Sequence, residues 1–241
     1  GAGVSGLVAA SVLEAHGYHP VMIERTDGVG GRVKTDVVKG FQLDHGFQVL
    51  LTSYPEAQKH LDFEALELQK ILPGASVFFN KKQNIIGDPL KSLSFLWPTL
   101  FSRIGSFSDK LRILKLNRTL KRKTLSEIFS DPEKSTYAYL KDYGFSNEII
   151  RDFFTPFFGG IFLETTLDTS SRMFEFVYKM FGDGSAALPK AGMVAIPKQL
   201  QAKLQNTDFM FNTHVASVQE GEITLEDKTK LKTLATIVAT D

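Results

Sequence analysis

The sequence predicts an α/β fold in which a discontinuous sheet-and-helix domain carries an inserted, largely helical one. Three observations predict it. A glycine-rich turn, Gly1-Ala2-Gly3-Val4-Ser5-Gly6, opens an apolar helical pattern and is followed by a short strand, Val21-Met22-Ile23, that ends in an acid, Glu24. A phenylalanine-rich middle with helix-start signals comes next. After Pro197 one more helical stretch gives way to alternating strand patterns, so the texture of the start returns near the end.

Each element has a local reason. Gly1 permits a tight strand-to-helix turn, Gly3 lets backbone N–H groups approach a ligand, and Gly6 lets the helix pack close to the sheet. Leu7, Val8, Ala10, Val12 and Leu13 give the helix an apolar face, and Gly17 suits its C-terminal cap. Pro20 then leads into the strand. Together these residues read as a Rossmann-like dinucleotide-binding unit. A pyrophosphate sits at the helix N-terminus, where N–H groups and the dipole favour an anion, with Ser5 in the phosphate turn and Glu24 accepting from ribose hydroxyls.

The expected domains are residues 1–46, a helical middle at 47–188, and 189–241. Within the middle, Ala75–Phe79 and Gln83–Ile86 straddle Asn80-Lys81-Lys82 and read as a hairpin, Thr124-Leu125-Ser126-Glu127 is a capping box, and Ser146 caps another helix. The tail carries a helix to about Leu204 and strands at Phe209–Phe211, Val215–Gln219, Glu222–Leu225 and Thr236–Ala239.

A second motif narrows the ligand. Glu24-Arg25 is followed by Gly28-Val29-Gly30-Gly31-Arg32-Val33, by Thr35, and by Asp44-His45-Gly46. Here the chain resembles the FAD-dependent amine oxidase superfamily, which includes phytoene desaturases and protoporphyrinogen oxidases. The resemblance implies FAD as cofactor, with Gly30, Gly31 and Arg32 over its pyrophosphate and Arg25 beside Glu24 in the same site. Paired glycines expose N–H donors and a guanidinium forks onto phosphate oxygens, so the residue types suit that place.

The resemblance extends to Tyr143-Gly144-Phe145-Ser146 and Phe153–Phe162, similar to a helical substrate-domain segment of the desaturase branch. Gly182-Asp183-Gly184, Leu188-Pro189, Gly192-Met193 and Ile196-Pro197 resemble the return into the flavin domain. Asn212-Thr213-His214-Val215 resembles the strand whose backbone, at Val215, meets adenine, and Ile237–Thr240 the strand before a final flavin segment. The pattern lacks its first strand and its C-terminal flavin motif, so a fragment of a longer chain is expected.

What the resemblance implies is an FAD-dependent oxidoreductase that removes a hydride from an apolar small molecule, as desaturases do. Amine oxidation is the second reading, and a flavin-binding protein without turnover the third. No residue is assigned a catalytic role; Gln48, just past Asp44-His45-Gly46, is the one candidate for a place near the ring, against an ordinary strand polar group.

Composition sets limits. Lys and Arg number 28 against 27 Asp and Glu, a net charge of +1, so nothing points to nucleic acid. No cysteine is present, which excludes disulfides, thiolate metal sites and a cysteinyl flavin link within these residues. The five histidines show no metal-ligand spacing, and no metal is expected. The apolar run Leu93–Phe101 is too short to span a bilayer and is broken by Pro98. A cytoplasmic protein is expected, with oligomeric state open. Lys110–Lys123 alternates basic and apolar residues, either as a solvated helix face or as an amphipathic helix on an anionic membrane. The phenylalanines are either core or the walls of an apolar tunnel.

Overall fold

The structure, a computed structural model, describes residues 1–46, 48–79, 82–87 and 104–240. The run Leu93–Phe101 lies outside them. The chain forms two compact units: Gly1–Leu50 with Pro55–Gln69 and Ala187–Asp241, and Leu51–Tyr54 with Lys70–Ala186. Both mix helix and strand.

In the first unit the helix Val4–Ala15 buries Gly6, Leu7 and Ala10, while Val12 stays on its outer side. It stops where Gly17, at φ +81°, donates to Glu14 O at 2.9 Å and Tyr18 N donates to Leu13 O at 3.1 Å. These are the paired bonds of a Schellman cap. The strand Val21–Ile23 then runs parallel to Asp208–Met210 in the register Val21↔Asp208 and Ile23↔Met210. Thr35–Val38 and Phe41–Asp44 form a hairpin through Lys39 and Gly40, both at positive φ. Val215–Gln219, Glu222–Leu225 and Lys230–Lys232 make a three-stranded antiparallel meander.

Two differences from the sequence-based expectation arise here. Thr236–Ala239, expected as a strand, forms no ladder among the described residues. Pro55–Gln69, placed by sequence with the middle region, sits in the first unit, because Gln199 bonds both backbone groups of Asp62 at 2.9 Å. Lys203 Nζ adds a bond to His60 O at 2.6 Å, and Lys190 one to Glu67 at 2.8 Å.

The second unit holds the expected hairpin, Gly74–Phe79 against Lys82–Gly87. Its helices among the described residues are Phe107–Arg122, Leu125–Ser130, Thr136–Asp142, Asn147–Ile149, Thr155–Phe162 and Ser171–Asp183, with Ile150–Phe154 wound as a π-helix. Thr124 and Ser146 cap the helices they are expected to cap. Phe145, Phe154, Phe158 and Phe174 lie buried among Leu116, Leu120 and Leu140, so these phenylalanines are core. Phe158 and Phe174 meet edge-on at 4.7 Å between centroids, a favoured aromatic geometry.

Asp109 joins two helix starts in this core. One carboxylate oxygen accepts from the Ser106 amide at 2.8 Å, its hydroxyl at 2.7 Å and the Ser146 hydroxyl at 2.8 Å, and the other from the Ser146 amide at 3.0 Å. Burial opposes its ionisation, but these donors prevail and hold the carboxyl below the usual carboxylate range. With the folded value depressed, the stability it confers is present above the unfolded value and lost as pH falls through the folded one. Asp109→Ala is expected to cost about 2–3 kcal/mol near neutrality, measured by urea unfolding, and the gap to wild type should narrow below about pH 4.

Candidate functional site

The glycine turn and the second glycine pair meet in the first unit. Gly3, in extended geometry, precedes the helix Val4–Ala15, which has no side-chain cap and no acid in its first turn. Its N-terminus is therefore available to an external anion. A Cβ at Gly6 would stand 2.0 Å from the Gly1 carbonyl oxygen, so only glycine allows this close packing. A Cβ at Gly3, by contrast, meets nothing within 4 Å. The space a phosphate needs is open at Gly3 and closed at Gly6.

The loop at Gly30 lies against that turn. Gly30 N donates to Ala2 O at 2.8 Å, and Gly3 and Gly30 form a parallel bridge. Gly31 adopts φ +58°, and its Cβ position is 3.4 Å from Gly3 Cα. Gly30 is at φ +122°, where a Cβ would strike Val33 O at 2.4 Å and Pro197 Cγ at 3.1 Å. Gly1 packs under the Ala239 carbonyl, 3.0 Å from its Cβ position, so the last stretch reaches the turn without being a strand. Ser5 and Arg32 are both exposed.

Glu24 is buried and serves as the hub beneath the turn. One oxygen accepts from Ala2 N at 2.7 Å; the other accepts from Thr26 N and Thr26 Oγ1, both at 2.9 Å. Burial disfavours its charge, yet these donors outweigh burial and hold the carboxyl below the ordinary range. A carboxylate offers about four acceptor sites, so three such bonds leave capacity for a ribose hydroxyl. Its backbone binds Met210 O and Thr213 N, each at 3.0 Å, which brings Val215, two residues on and exposed, to the same end of the unit. Arg25 is exposed and stands outside this bonded set.

Gln48 places a further polar group beside this loop. Its Nε2 donates to Arg32 O at 2.9 Å and His45 O at 3.0 Å. Two carbonyl partners fix the amide's orientation, which leaves Oε1 buried and without a hydrogen-bond partner among the described residues. A buried acceptor in this state costs about 1–3 kcal/mol unless a donor reaches it. The hydroxyls and N–H groups of a dinucleotide are donors of the right kind.

Sequence reasoning misses the brace beside this loop. Thr35 Oγ1 donates to Asp44 Oδ1 and accepts from Val194 N at 3.0 Å, while Asp44 also accepts from Met193 N at 2.9 Å. Thr35 and Asp44 stand in the second glycine motif, but Met193 lies 149 residues from Asp44, a separation that local pattern does not bridge. Thr26, which orients Glu24, carries no signal in the sequence either.

An uncapped helix N-terminus, open space over Gly3, a glycine loop laid on it, an acid at the strand tip and an unpartnered acceptor together fit a dinucleotide. The sequence profile of the flavin containing amine oxidoreductases matches residues 4–241. The chain belongs to that family. FAD is the cofactor that goes with the membership.

Among curated proteins, this family member is 27% identical over 162 residues to protoporphyrinogen oxidase 2, chloroplastic/mitochondrial, of Arabidopsis thaliana, covering 66% of the chain and 31% of that protein. It is 28% identical over 168 residues to coproporphyrinogen III oxidase of Propionibacterium freudenreichii, covering 67% and 31%. Among solved structures, an oxidoreductase from Methanosarcina mazei superposes with a TM-score of 0.68 at 20% identity, over 97% of this chain and 56% of the other. The chain thus spans about a third of the curated relatives' length and little over half of the solved one.

Proposed function

We propose that the chain carries the FAD-binding part of an oxidoreductase that removes hydride from an apolar small molecule. The observation that carries this is the contact of Gly30 and Gly31 with Gly3 above an uncapped helix N-terminus, which is a pyrophosphate cradle. In this reading Gly1, Gly3, Ser5 and Gly6 form the phosphate turn, Gly30, Gly31 and Arg32 cover the pyrophosphate, and Arg25 adds positive charge nearby. Glu24 accepts from the adenosine ribose, the Val215 backbone meets adenine, and Gln48 Oε1 receives a donor from the flavin half. Bound FAD supplies the hydride acceptor. The protein's own part is to fix the cofactor and to present an apolar surface that excludes water.

The mostly helical unit is proposed as the substrate domain, and its partly buried Phe153 and Phe157, stacked at 5.7 Å, as part of an apolar wall. Two of the relatives are named as porphyrinogen oxidases and a third, of Metabacillus indicus, as 4,4'-diapolycopen-4-al dehydrogenase, which favours a macrocyclic or polyene substrate over an amine. Anaerobic mixing of the whole protein with porphyrinogens, carotenoids and amines tests this. The flavin absorbance should bleach with a member of the first two classes; bleaching by amines alone, or by none, would sink the reading.

A further inference from the structure

The helix Phe107–Arg122 turns Asp109, Leu116 and Leu120 inward and leaves an unusual opposite side. At about 100° per residue, Phe107, Leu111 and Leu114 share that side with Lys115, Arg118 and Arg122. Phe107 is 66%, Leu111 52% and Leu114 49% exposed, a high degree for side chains of this size. The apolar residues occupy its first half and the cations its second. Lys115, Arg118, Thr119 and Arg122, with Lys123 and Glu127, also line an open hollow of about 430 Å³. Within the hollow Lys123 is paired to Asp131 and Glu175, while Glu127, bonded by the Thr124 amide and hydroxyl, keeps its negative charge and is outnumbered by Lys115, Arg118 and Arg122.

We infer that this face docks on an anionic lipid bilayer, its apolar half entering the interface and its basic half meeting the headgroups. Three exposed large apolar side chains beside cations match an interfacial helix, and nucleic acid offers nothing for them to bury against. No helix among the described residues is long and apolar enough to cross a membrane. The inference goes beyond the oxidoreductase reading, since adsorption needs no turnover. It would give a lipid-soluble substrate a short path to the protein.

Vesicle co-sedimentation of the flavin-loaded whole protein tests it. Binding is expected to vesicles of phosphatidylglycerol mixed with phosphatidylcholine, weak to phosphatidylcholine alone, and to fall with salt. Arg118→Ala with Arg122→Ala should weaken it roughly 30-fold, at about 1 kcal/mol per cation near the surface, with flavin content unchanged. Leu111→Ser with Leu114→Ser should weaken it on the mixed vesicles as well. Equal binding to both vesicle types, or wild-type binding by the arginine variant, overturns the inference. So does displacement by inorganic phosphate beyond matched chloride, which marks a soluble-anion site, or tighter binding to polyglutamate than to vesicles, which marks an acidic protein partner. Vesicle binding that fails while substrates still bleach the flavin would remove this inference and leave the functional reading intact.

Discussion

Gly6→Ala is expected to abolish flavin retention and to destabilise the first unit by at least about 3 kcal/mol, whereas Gly3→Ala should abolish retention alone. The two substitutions add the same methyl group three residues apart. At Gly6 it lands 2.0 Å from the Gly1 carbonyl oxygen and 3.2 Å from its carbon, so backbone must move and the helix must part from the turn. At Gly3 it enters empty space at a φ of −69°, which alanine tolerates, and the fold should stay within about 1 kcal/mol of wild type. The methyl then occupies the approach to the turn's N–H groups, where a phosphate oxygen would lie. Thermal unfolding and the visible absorbance of the purified variants read the two effects separately. Equal loss of stability in both would mean that the opening at Gly3 is not a ligand site.

Glu24→Ala should be the next most damaging change. It strands the buried Ala2 amide, leaves the exposed Thr26 donors to solvent and removes the proposed ribose acceptor, at about 1–3 kcal/mol in stability. Glu24→Gln keeps the shape and one oxygen, and should fall between wild type and alanine. Because the folded carboxyl is held below the usual range, its contribution is present above the unfolded value of about 4.3 and disappears as pH falls through the folded value. Acid titration of the holo-protein should therefore release flavin from wild type in that range, while the glutamine variant should show a flatter profile. Wild-type stability and FAD affinity in Glu24→Ala would place the nucleotide elsewhere.

Much of this site is legible in the sequence because its chemistry is local. Glycines at 1, 3 and 6 and an acid at the strand tip fall within one turn–helix–strand unit, where backbone geometry demands Gly6 and the Ala2–Glu24 bond closes the turn onto the strand. The capping roles of Thr124 and Ser146 are legible for the same reason, since each side chain bonds an amide three residues on. What stays hidden depends on long-range partners or weak patterns. The hairpin Thr35–Asp44 has adjacent apolar residues at Val37 and Val38, both exposed, so strand alternation is blurred. Its turn is Lys39-Gly40 rather than the more telling Asn-Gly. The π-helical turn at Ile150–Phe154 follows no sequence signal, although it helps carry Phe154 into the core. Thr236–Ala239 has the β-branched residues of a strand, yet Ile237 and Val238 remain exposed at 59% and 65% with no neighbouring ladder among the described residues. Propensity describes what a segment tolerates, and pairing decides what it becomes.

In the proposed site the glycine turn, the Gly30-Gly31-Arg32 loop and Glu24 grip the pyrophosphate and adenosine half of FAD. Comparing the affinities of the whole apo-protein for FAD and FMN, by quenching of flavin fluorescence, tests it most directly. FMN lacks the second phosphate and the adenosine, so wild type should hold FAD at least about 100-fold more tightly, the equivalent of two charge-assisted contacts. Arg32→Ala and Glu24→Ala should each narrow that gap by weakening FAD while leaving FMN nearly unchanged. Equal affinity for FAD and FMN in the wild-type protein would contradict the assignment of these residues.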